Sequence, residues 1–418
     1  NRKGPGLMPD TAVTQTSPTL DEVKARTEAL LDGFRARAAD TEANRVLPQE
    51  TVEELYDAEL LQLFAPKRYG GLSLDWPAIV HASRIAARAC ASTGWLVSVV
   101  GGHIAIVSRL SKPIQDEIFK DGVRKIITTA SAQTTGTIVK EKGGYRLNGL
   151  WRFGSGIDHA DWVMVTAACE NHPDPPEPNV FRATVPRSAV EVDDTWQVAG
   201  MRGTGSKDLR FENVFVEDDW VVTSPQCFGM HPPGAEVNPE AYLFDVPFMP
   251  YFTNWMIGPL LGCAEGAFDA YVAATKKKVG AMTRITVADQ PTVQERLSES
   301  SAELDCARMM FDNITTTLDN AGHERRALTP DENVMINRNR AYLARLCTSS
   351  IYRLVRVMGA TGIFDTNPVQ RHWRDLSVMA SQVGVNWDQN MMAYGRYLLG
   401  LDFEKVKTDH VPSAKKPA

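Results

Sequence analysis

The residues whose chemistry stands out form the stretch Trp-Arg-Phe-Gly-Ser-Gly at positions 151–156, which follows an Asn-Gly pair at 148–149. Asn-Gly is a preferred pair for a tight hairpin turn, so these residues predict a strand, a turn and a second strand. Glycines on both sides of Ser155 leave little side-chain bulk, so a flat ligand could lie against the backbone and bond to the hydroxyl. Trp151 and Phe153 would add aromatic surface. An ordinary hairpin with a bulge explains the same residues, and the stretch alone does not decide between the two.

A second candidate is the loop Gly-Met-Arg-Gly-Thr-Gly-Ser at 200–206. The guanidinium of Arg202 and the backbone N–H groups of the loop could bind a phosphate. The loop lacks the Gly-x-x-x-x-Gly-Lys-Ser/Thr form of a P-loop, and no helical pattern follows it. It therefore indicates neither P-loop nor Rossmann chemistry, and by itself it is a weak sign of a binding site.

Histidine and cysteine offer further chemistry. His103 lies in an alanine-rich apolar region with helical spacing, where a lone histidine is either an acid or base or, more often, a buried structural residue. The six cysteines and eight histidines form no Cys-x-x-Cys or His-x-x-x-His pattern. We therefore predict buried free thiols and no metal site.

Composition excludes several classes of protein. Of the 418 residues, 43% are hydrophobic and 23% are charged, as in an ordinary soluble domain, and the formal net charge is −6. Without a cluster of Lys and Arg there is no surface for nucleic acid. No apolar run reaches the length of a membrane helix, so we expect a soluble cytoplasmic protein.

The periodicity of the chain predicts an α+β protein that positions these residues in three parts. Apolar residues recur with helical spacing in the first part, alternate in short runs in the second, and return to helical spacing in the third. The predicted parts are a tail at 1–19, an N-terminal helical domain at 20–123, a small β-barrel or sandwich domain at 124–222, an irregular connection at 223–250, a helical C-terminal domain at 251–402 and a tail at 403–418.

This order and these motifs resemble the acyl-CoA dehydrogenase fold, and within it the oxygenase components of two-component flavin-dependent aromatic hydroxylases. The stretch around Ser155 resembles that branch's Trp-x-Phe-x-Ser-Gly signature, and 202–206 resembles its Arg-Gly-Thr-Gly-Ser segment. Further matches are Gly-Ala-Thr-Gly-Ile at 359–363, Pro-Val-Gln-Arg at 368–371 and Arg-Asp-Leu at 374–376. The resemblance covers about residues 21–402, and it implies a flavin between the β-domain and a C-terminal four-helix bundle.

The resemblance also implies roles for individual residues. Ser155 falls on the position whose hydroxyl bonds flavin N5, and Phe153 falls where an aromatic ring lies along the isoalloxazine. His103 is the leading candidate for an acid or base on the substrate side. Further flavin contacts, or contacts at the substrate entrance, are expected from Trp151, Arg202, Thr204, Gly205, Ser206 and Arg374, although Arg374 could instead form a structural ion pair. Further substrate contacts are expected from Ser131, Trp255, Gln382 and Trp387, although aromatic residues at such spacing belong to the core more often than to a pocket.

The implied reaction uses reduced flavin, FADH2 or FMNH2, and O2, which form a C4a-hydroperoxyflavin that transfers one oxygen atom to a small aromatic substrate. No dinucleotide-binding fingerprint is present, so a separate NAD(P)H:flavin reductase should supply the reduced flavin. Analogy with the fold also implies a homotetramer.

Two departures from the family pattern bear on the substrate. The last helical region contains no Glu-Gly-Thr, so the glutamate base of an acyl-CoA dehydrogenase is missing. Gln382 stands where these hydroxylases often carry a histidine, which favours a substrate that needs no deprotonation there, such as an indole or another heteroaromatic, alongside phenols. The alternatives are an acyl-CoA dehydrogenase with another base, an N- or S-oxygenase, and a flavin-fold protein that only binds a ligand.

Overall fold

The computed structural model describes residues 17–131, 135–280 and 284–404. The tails predicted at 1–19 and 403–418 fall largely outside these ranges. The first part of the chain is helical, as predicted, because its apolar residues recur at helical spacing. Its helices are α1 (Leu20–Glu28), α2 (Leu31–Asn44), α3 (Gln49–Asp57), α4 (Pro77–Ala87), α5 (Ala91–Val107) and α6 (Lys112–Ile118). Helix α5 is apolar on nearly every side and is buried through most of its length.

Two four-stranded sheets form the middle of the chain. The strands are β1 (Ile127–Ala130), β2 (Thr137–Glu141), β3 (Gly144–Gly154), β4 (Trp162–Ala167), β5 (Phe181–Pro186), β6 (Glu191–Asp193), β7 (Lys207–Glu217) and β8 (Val221–Thr223). One sheet has the order β1-β4-β5-β8, and the other has the order β2-β3-β7-β6. The β1–β4 pair is parallel, and the other pairs are antiparallel.

The first sheet separates two cores because side chains alternate between its faces. Val163 and Val165 of β4 point into a core shared with the second sheet. Met164, between them, belongs to the core of the helices. Residues paired with Met164 across the sheet, Thr129 and Thr184, therefore face the helices as well.

The prediction of a tight turn at 148–149 was wrong. Strand β3 runs through this pair with a register shift, and the two-residue hairpin turn lies earlier, where Glu141 pairs with Gly144. Gly149 has φ +114°, and a Cβ there would meet the Cα of Gly136 at 2.6 Å. The glycine is thus required by a close approach of two backbones within a bulged strand, and it does not mark a chain reversal.

The connection predicted as irregular contains two short helices, α7 (Ser224–Phe228) and α8 (Pro233–Val237), before α9 (Met249–Asn254). A single buried side chain from α5's C-terminal end organises it. Arg109 donates hydrogen bonds to the carbonyl oxygens of Cys227, Gly229, Leu243 and Val246 at 2.5–2.9 Å. These bonds satisfy backbone groups that have no helix or sheet partner.

The last part contains α10 (Ile257–Lys277), α11 (Pro291–His323), α12 (Pro330–Val355), α13 (Pro368–Met379) and α14 (Trp387–Leu398). Helix α10 packs closely on α4: a Cβ on Gly262 would lie 1.9 Å from the carbonyl oxygen of Arg84. Within the described ranges, no helix is long and apolar enough to cross a membrane. All six cysteines are free, and Cys306 alone among them is exposed, which corrects the prediction that every thiol is buried.

Candidate active site

Three hydroxyl groups form a chain at the end of β3. Ser155 Oγ lies 2.8 Å from Ser206 Oγ, which lies 2.7 Å from Thr204 Oγ1. The hydroxyl of Thr204 donates to the carbonyl oxygen of Met201 at 2.9 Å. The structure thus brings together three residues that the sequence placed in two separate motifs.

The carbonyl at one end of this chain sets the direction of every proton in it. Each hydroxyl carries one proton, and Thr204 uses its proton on Met201. Ser206 must therefore donate to Thr204, and Ser155 must donate to Ser206. The lone pairs of Ser155 Oγ remain as acceptors, suited to an N–H donor on a ligand.

Backbone geometry fixes Ser155 in this position. Phe153 has φ +69° and Gly156 has φ +73°, so two left-handed residues flank the serine. The Ser155 carbonyl oxygen accepts a hydrogen bond from Thr128 Oγ1 at 3.0 Å, and Gly156 N–H donates to the Thr204 carbonyl oxygen at 2.9 Å. The bulged end of β3 is tied to β1 and to the Thr204 loop.

The two glycines serve this geometry and do not clear a surface for a ligand. A Cβ at Gly154 would meet Leu209 at 2.9 Å, and one at Gly156 would meet Val100 of α5 at 3.1 Å. Their neighbour Phe153 keeps 41% of its surface exposed, next to Trp196 at 6.1 Å between ring centroids. This partly exposed ring, two residues before Ser155 in the chain, is the aromatic surface that β3 offers at this end.

The predicted flavin contact of Trp151 needs correction. Its side chain is 0% exposed and packs in the core between the two sheets, edge-on to Phe211 at 5.0 Å. Its indole N–H donates to the Thr166 carbonyl oxygen at 2.9 Å. Because no part of the ring reaches the surface, Trp151 can position β3 but offers no face to a ligand.

His103 lies on α5, one turn from the contact with Gly156, and it is 2% exposed. Its Nδ1 is 2.7 Å from the Ile127 carbonyl oxygen, and its Nε2 is 2.9 Å from Thr129 Oγ1. Burial lowers the pKa of His103 to about 4, so the ring is neutral at pH 7. Since a carbonyl can only accept, the proton is on Nδ1, and Thr129 must donate to Nε2.

Both ring nitrogens of His103 are consequently engaged, so it does not offer a free nitrogen to a substrate. Thr129, which is 9% exposed and faces the helices, presents the outer lone pair instead. Sequence reasoning missed Thr129. The alternation of side chains along β1 could have indicated it. Thr128 bonds the Ser155 carbonyl oxygen on one face of the sheet, so Thr129 lies on the opposite face, towards His103.

An aromatic wall faces this side of the sheet. The ring of Trp255 lies edge-on to His103 at 5.7 Å and to Phe252 at 4.9 Å, and Phe228 continues the wall 5.5 Å from Phe252. Trp255 is 3% exposed, and its Nε1 is a buried donor without a hydrogen-bond partner. The predicted substrate contact Trp255 thus lies beside His103, with an unused donor.

Ser131 and Gln382 lie at two edges of this region. Ser131 is exposed just past β1, with its hydroxyl 2.8 Å from Thr166 Oγ1. Gln382 is half-buried, and its side-chain oxygen accepts from the N–H of Gly384, where a Cβ would meet the side chain of Met256 at 2.9 Å. The oxygen of Gln382 is thus used within its own turn.

Three predicted residues face other parts of the molecule. Arg374 forms an ion pair with Glu42 and donates to the Ala199 carbonyl oxygen at 2.8 Å, so it joins α13 to α2. Arg202 turns away from the hydroxyl chain and lines a cleft of about 540 Å³ between α2, α10 and α13, where its Nε has no partner. Trp387 lies on α14 under the guanidinium of Arg345 at 4.1 Å.

The residues at the end of β3 fit a reduced flavin. The acceptor lone pairs of Ser155 match the N–H that a reduced flavin carries at N5, and Phe153, two residues earlier, offers a flat exposed ring. Ser206 and Thr204 would hold the serine in this orientation, with Gly205 (φ +53°) turning the loop between them. The bound flavin would supply electrons for the activation of O2.

The chain is similar to known proteins over most of its length. Residues 18–119 match the acyl-CoA dehydrogenase N-terminal domain, and residues 255–387 match the acyl-CoA dehydrogenase C-terminal domain. A pigment production hydroxylase from Rhodococcus sp. (strain ATCC 21145) is 31% identical over 383 residues, covering 92% of this chain and 97% of the relative. The oxygenase component of an FADH2-dependent resorcinol hydroxylase from Rhizobium sp. (strain MTP-10005) is 28% identical, covering 93% of this chain and 96% of the relative.

A solved structure shows the same fold. XiaF from Streptomyces sp., in complex with FADH2 and glycerol, superposes with a TM-score of 0.84 at 27% identity, covering 92% of this chain and 96% of that one. The matches extend over the helical and β parts alike, and the two sequence relatives are named as a hydroxylase and as the oxygenase component of a hydroxylase. The chain therefore belongs to the flavin-dependent monooxygenases with the acyl-CoA dehydrogenase fold.

Proposed function

We propose that this oxygenase component inserts one oxygen atom from O2 into a small aromatic substrate that carries an O–H or N–H donor, such as a phenol or an indole. Reduced flavin, FADH2 or FMNH2, supplies the electrons. The observation that supports the substrate class is the orientation of Thr129, whose proton is used on His103 and whose free lone pair requires a donor.

Two hydrogen-bonded groups of residues have different roles: Ser155, Ser206 and Thr204 on the flavin side, and Thr129 with His103 on the substrate side. Ser155 accepts a hydrogen bond from the flavin N5–H and keeps that proton in place, because its own hydroxyl proton is donated to Ser206, which donates in turn to Thr204. Thr129 orients the substrate donor, and His103 Nε2 behind it can receive a proton relayed through the threonine hydroxyl. The aromatic wall of Trp255, Phe252 and Phe228 excludes water from the substrate side.

The dehydrogenase alternative has less support. A dehydrogenase needs a free carboxylate base, and in the described ranges the buried carboxylates of the helices are Glu265 and Asp375. Glu265 bonds Arg84 and Arg308 at 2.7 Å, and Asp375 accepts from the Met201 N–H at 2.5 Å. Both are committed to structural contacts.

The experiment is rapid mixing of the protein and reduced flavin with O2, followed by absorbance. We expect oxidised-flavin absorbance to return much more slowly than with free reduced flavin, with little hydrogen peroxide, and a phenol or indole donor to give oxygenated product. Equal reoxidation rates for bound and free flavin would contradict the proposal. Bleaching of bound oxidised flavin by an acyl-CoA would favour the dehydrogenase instead.

The assembly is also a proposal. We propose that a separate NAD(P)H:flavin reductase supplies the reduced flavin in the cytoplasm, and that the C-terminal helices form a four-helix bundle through which a homotetramer assembles. Large apolar side chains exposed near the C-terminal end support an interface between copies, among them Ile363 at 74% and Leu399 at 76%. Sedimentation analysis tests the oligomer, and a monomer at micromolar concentration would contradict it.

A further inference from the structure

Arg182 is a buried cation on the face of the first sheet that meets the helices. It lies on β5, where it pairs with Thr166 of β4 and Val222 of β8, and it is 6% exposed. Its guanidinium carbon lies 4.0 Å from the centre of the Phe228 ring. A charge so far from water needs compensating contacts on several sides.

The part of the chain that the structure describes does not provide those contacts. Arg182 NH1 is buried without a hydrogen-bond partner, and no carboxylate in the described ranges forms an ion pair with Arg182. The thiol of Cys227 interacts electrostatically with Arg182, but burial raises its pKa, so the thiol remains neutral. The guanidinium therefore faces a low-dielectric region without a counter-charge.

Comparison with the other buried arginines of the described chain makes this clear. Arg109 gives its donors to four carbonyl oxygens, and Arg340 donates to the Gly384 carbonyl oxygen and to Thr253 Oγ1. Both are structural residues with internal partners. Arg182 has the same burial and lacks them, as expected of a group whose partner is a ligand.

The neighbours of Arg182 belong to the substrate side of the site. Thr184 lies two residues along β5 on the same face, and its buried hydroxyl has no hydrogen-bond partner. The indole N–H of Trp255, on the helices that face the sheet, is also buried and unpaired. Phe228, which stacks on Arg182, is the end of the aromatic wall that begins at His103. Three unpaired polar groups therefore border one stretch of aromatic surface.

The distance from Thr129 suits a ligand of defined length. Thr129 and Arg182 lie two strands and two residues apart on one sheet face, which corresponds to about 12 Å between their Cα atoms. Because side chains stand roughly perpendicular to a sheet, their polar ends are separated by a similar distance, which suits one aromatic ring with a short side arm.

We propose that Arg182 binds a carboxylate on the substrate, an inference that rests on the proposed function. The substrates would then be aromatic acids whose O–H or N–H donor lies at Thr129 and whose carboxylate reaches Arg182. An arginine binds a carboxylate with paired, charge-assisted hydrogen bonds, and Phe228 holds the guanidinium plane. Thr184 adds a third donor.

The test compares acids with their neutral amides: p-hydroxyphenylacetate with p-hydroxyphenylacetamide, and indole-3-acetate with indole-3-acetamide. Binding to the protein loaded with reduced flavin is measured without O2 from tryptophan fluorescence. We expect at least one acid to bind about 10-fold or more tightly than its amide. Arg182→Met should remove this preference and leave amide binding unchanged, and Arg182→Lys should keep part of it.

Controls separate the possible causes. Arg210→Met removes an exposed charge on the other sheet and should leave the acid preference intact, which excludes long-range attraction. Thermal unfolding of each variant identifies loss of folding, and Arg182→Lys preserves the charge if Arg182→Met fails to fold. FMN and riboflavin affinities test the other source of an anion, since a loss specific to FMN in Arg182→Met would assign Arg182 to the flavin phosphate and overturn the proposal.

Equal affinities of acid and amide in the wild-type protein, or an Arg182→Met effect of equal size on both, would also overturn it. Failure of the proposed function is recognised separately, from the reoxidation rate of bound flavin in the absence of any aromatic ligand. Slow reoxidation of bound flavin without an acid preference would contradict only the role of Arg182. A reoxidation rate equal to that of free flavin would contradict the proposed function.

Discussion

The hydroxyl of Ser155 lies 2.8 Å from that of Ser206, which stands 51 residues later in a different loop. Thr204 and the Met201 carbonyl oxygen continue the chain, and they turn Ser155 into an acceptor. A reduced flavin has an N–H at N5, and an oxidised flavin has a lone pair there. This series of hydroxyl groups therefore favours binding of the reduced form of the cofactor.

Ser206→Ala should weaken this preference. Without Ser206, the Ser155 proton is no longer committed, so the serine can bond either form of the flavin. We expect the ratio of the oxidised-flavin Kd to the reduced-flavin Kd to fall about 10-fold, as for the loss of one hydrogen bond. Anaerobic titration with each form measures the ratio. Ser206→Thr keeps the hydroxyl and serves as control; an unchanged ratio in the alanine variant would remove Ser206 from this role.

Thr129→Val should impair substrate use and leave flavin binding intact. Valine has nearly the shape of threonine and lacks the oxygen that accepts the substrate donor and bonds His103. Loss of that bond, with His103 Nε2 left unpaired, should lower kcat/KM by about 10- to 100-fold. Product formation with a fixed phenol or indole gives the value. Thr129→Ser should recover most of it, and a valine variant with full activity would show that substrate is held elsewhere.

Two buried histidines predict a loss of stability in acid. Burial lowers the pKa of His103 and of His372 to about 4, against about 6.5 in the unfolded chain. Stability from these groups is complete above pH 6.5 and falls as the pH drops towards 4, because the unfolded chain binds protons that the folded one does not. The full loss is about 3 kcal/mol for each histidine.

Asp375 acts in the opposite direction. Burial raises its pKa to about 7 from 3.8, so its contribution to stability decreases as the pH rises between these values. The two histidines outweigh one carboxyl group between pH 4 and 6.5. Urea unfolding across this range measures the slope of the free energy against pH, and His103→Gln should lower that slope. Parallel curves for wild type and variant would contradict the assignment.

Gly262→Ala should destabilise the contact between α10 and α4. A Cβ there would meet the Arg84 carbonyl oxygen at 1.9 Å, so the helices must separate. We expect a loss of about 1–3 kcal/mol in the free energy of unfolding. Gly395→Ala on α14 is the matched control, since no atom lies within 4 Å of its Cβ, and alanine there should stabilise by up to about 1 kcal/mol. Equal effects of the two substitutions would refute this account of the packing.

Much of the molecule could be predicted from the sequence because the signals are local. Helical and alternating spacing located the helical and β parts, and the motifs around Ser155 and 202–206 indicated the family. Each of these inferences depends on residues a few positions apart, where backbone geometry alone determines which side chains share a face.

The roles within the site depended on tertiary structure, because its polar groups meet across long separations. Ser206 joins Ser155 rather than a phosphate, and the fully buried Trp151 lies in the core of the sheets. Sequence indicated that His103 could be an acid or base, but only the fold put Thr129 in front of it. Arg182 belongs to no sequence motif. It became a candidate binding residue only because strand pairing and the Phe228 ring bury its guanidinium group while NH1 has no hydrogen-bond partner. The sequence thus determined the family and the elements, and long-range packing decided where each proton and each buried charge lies.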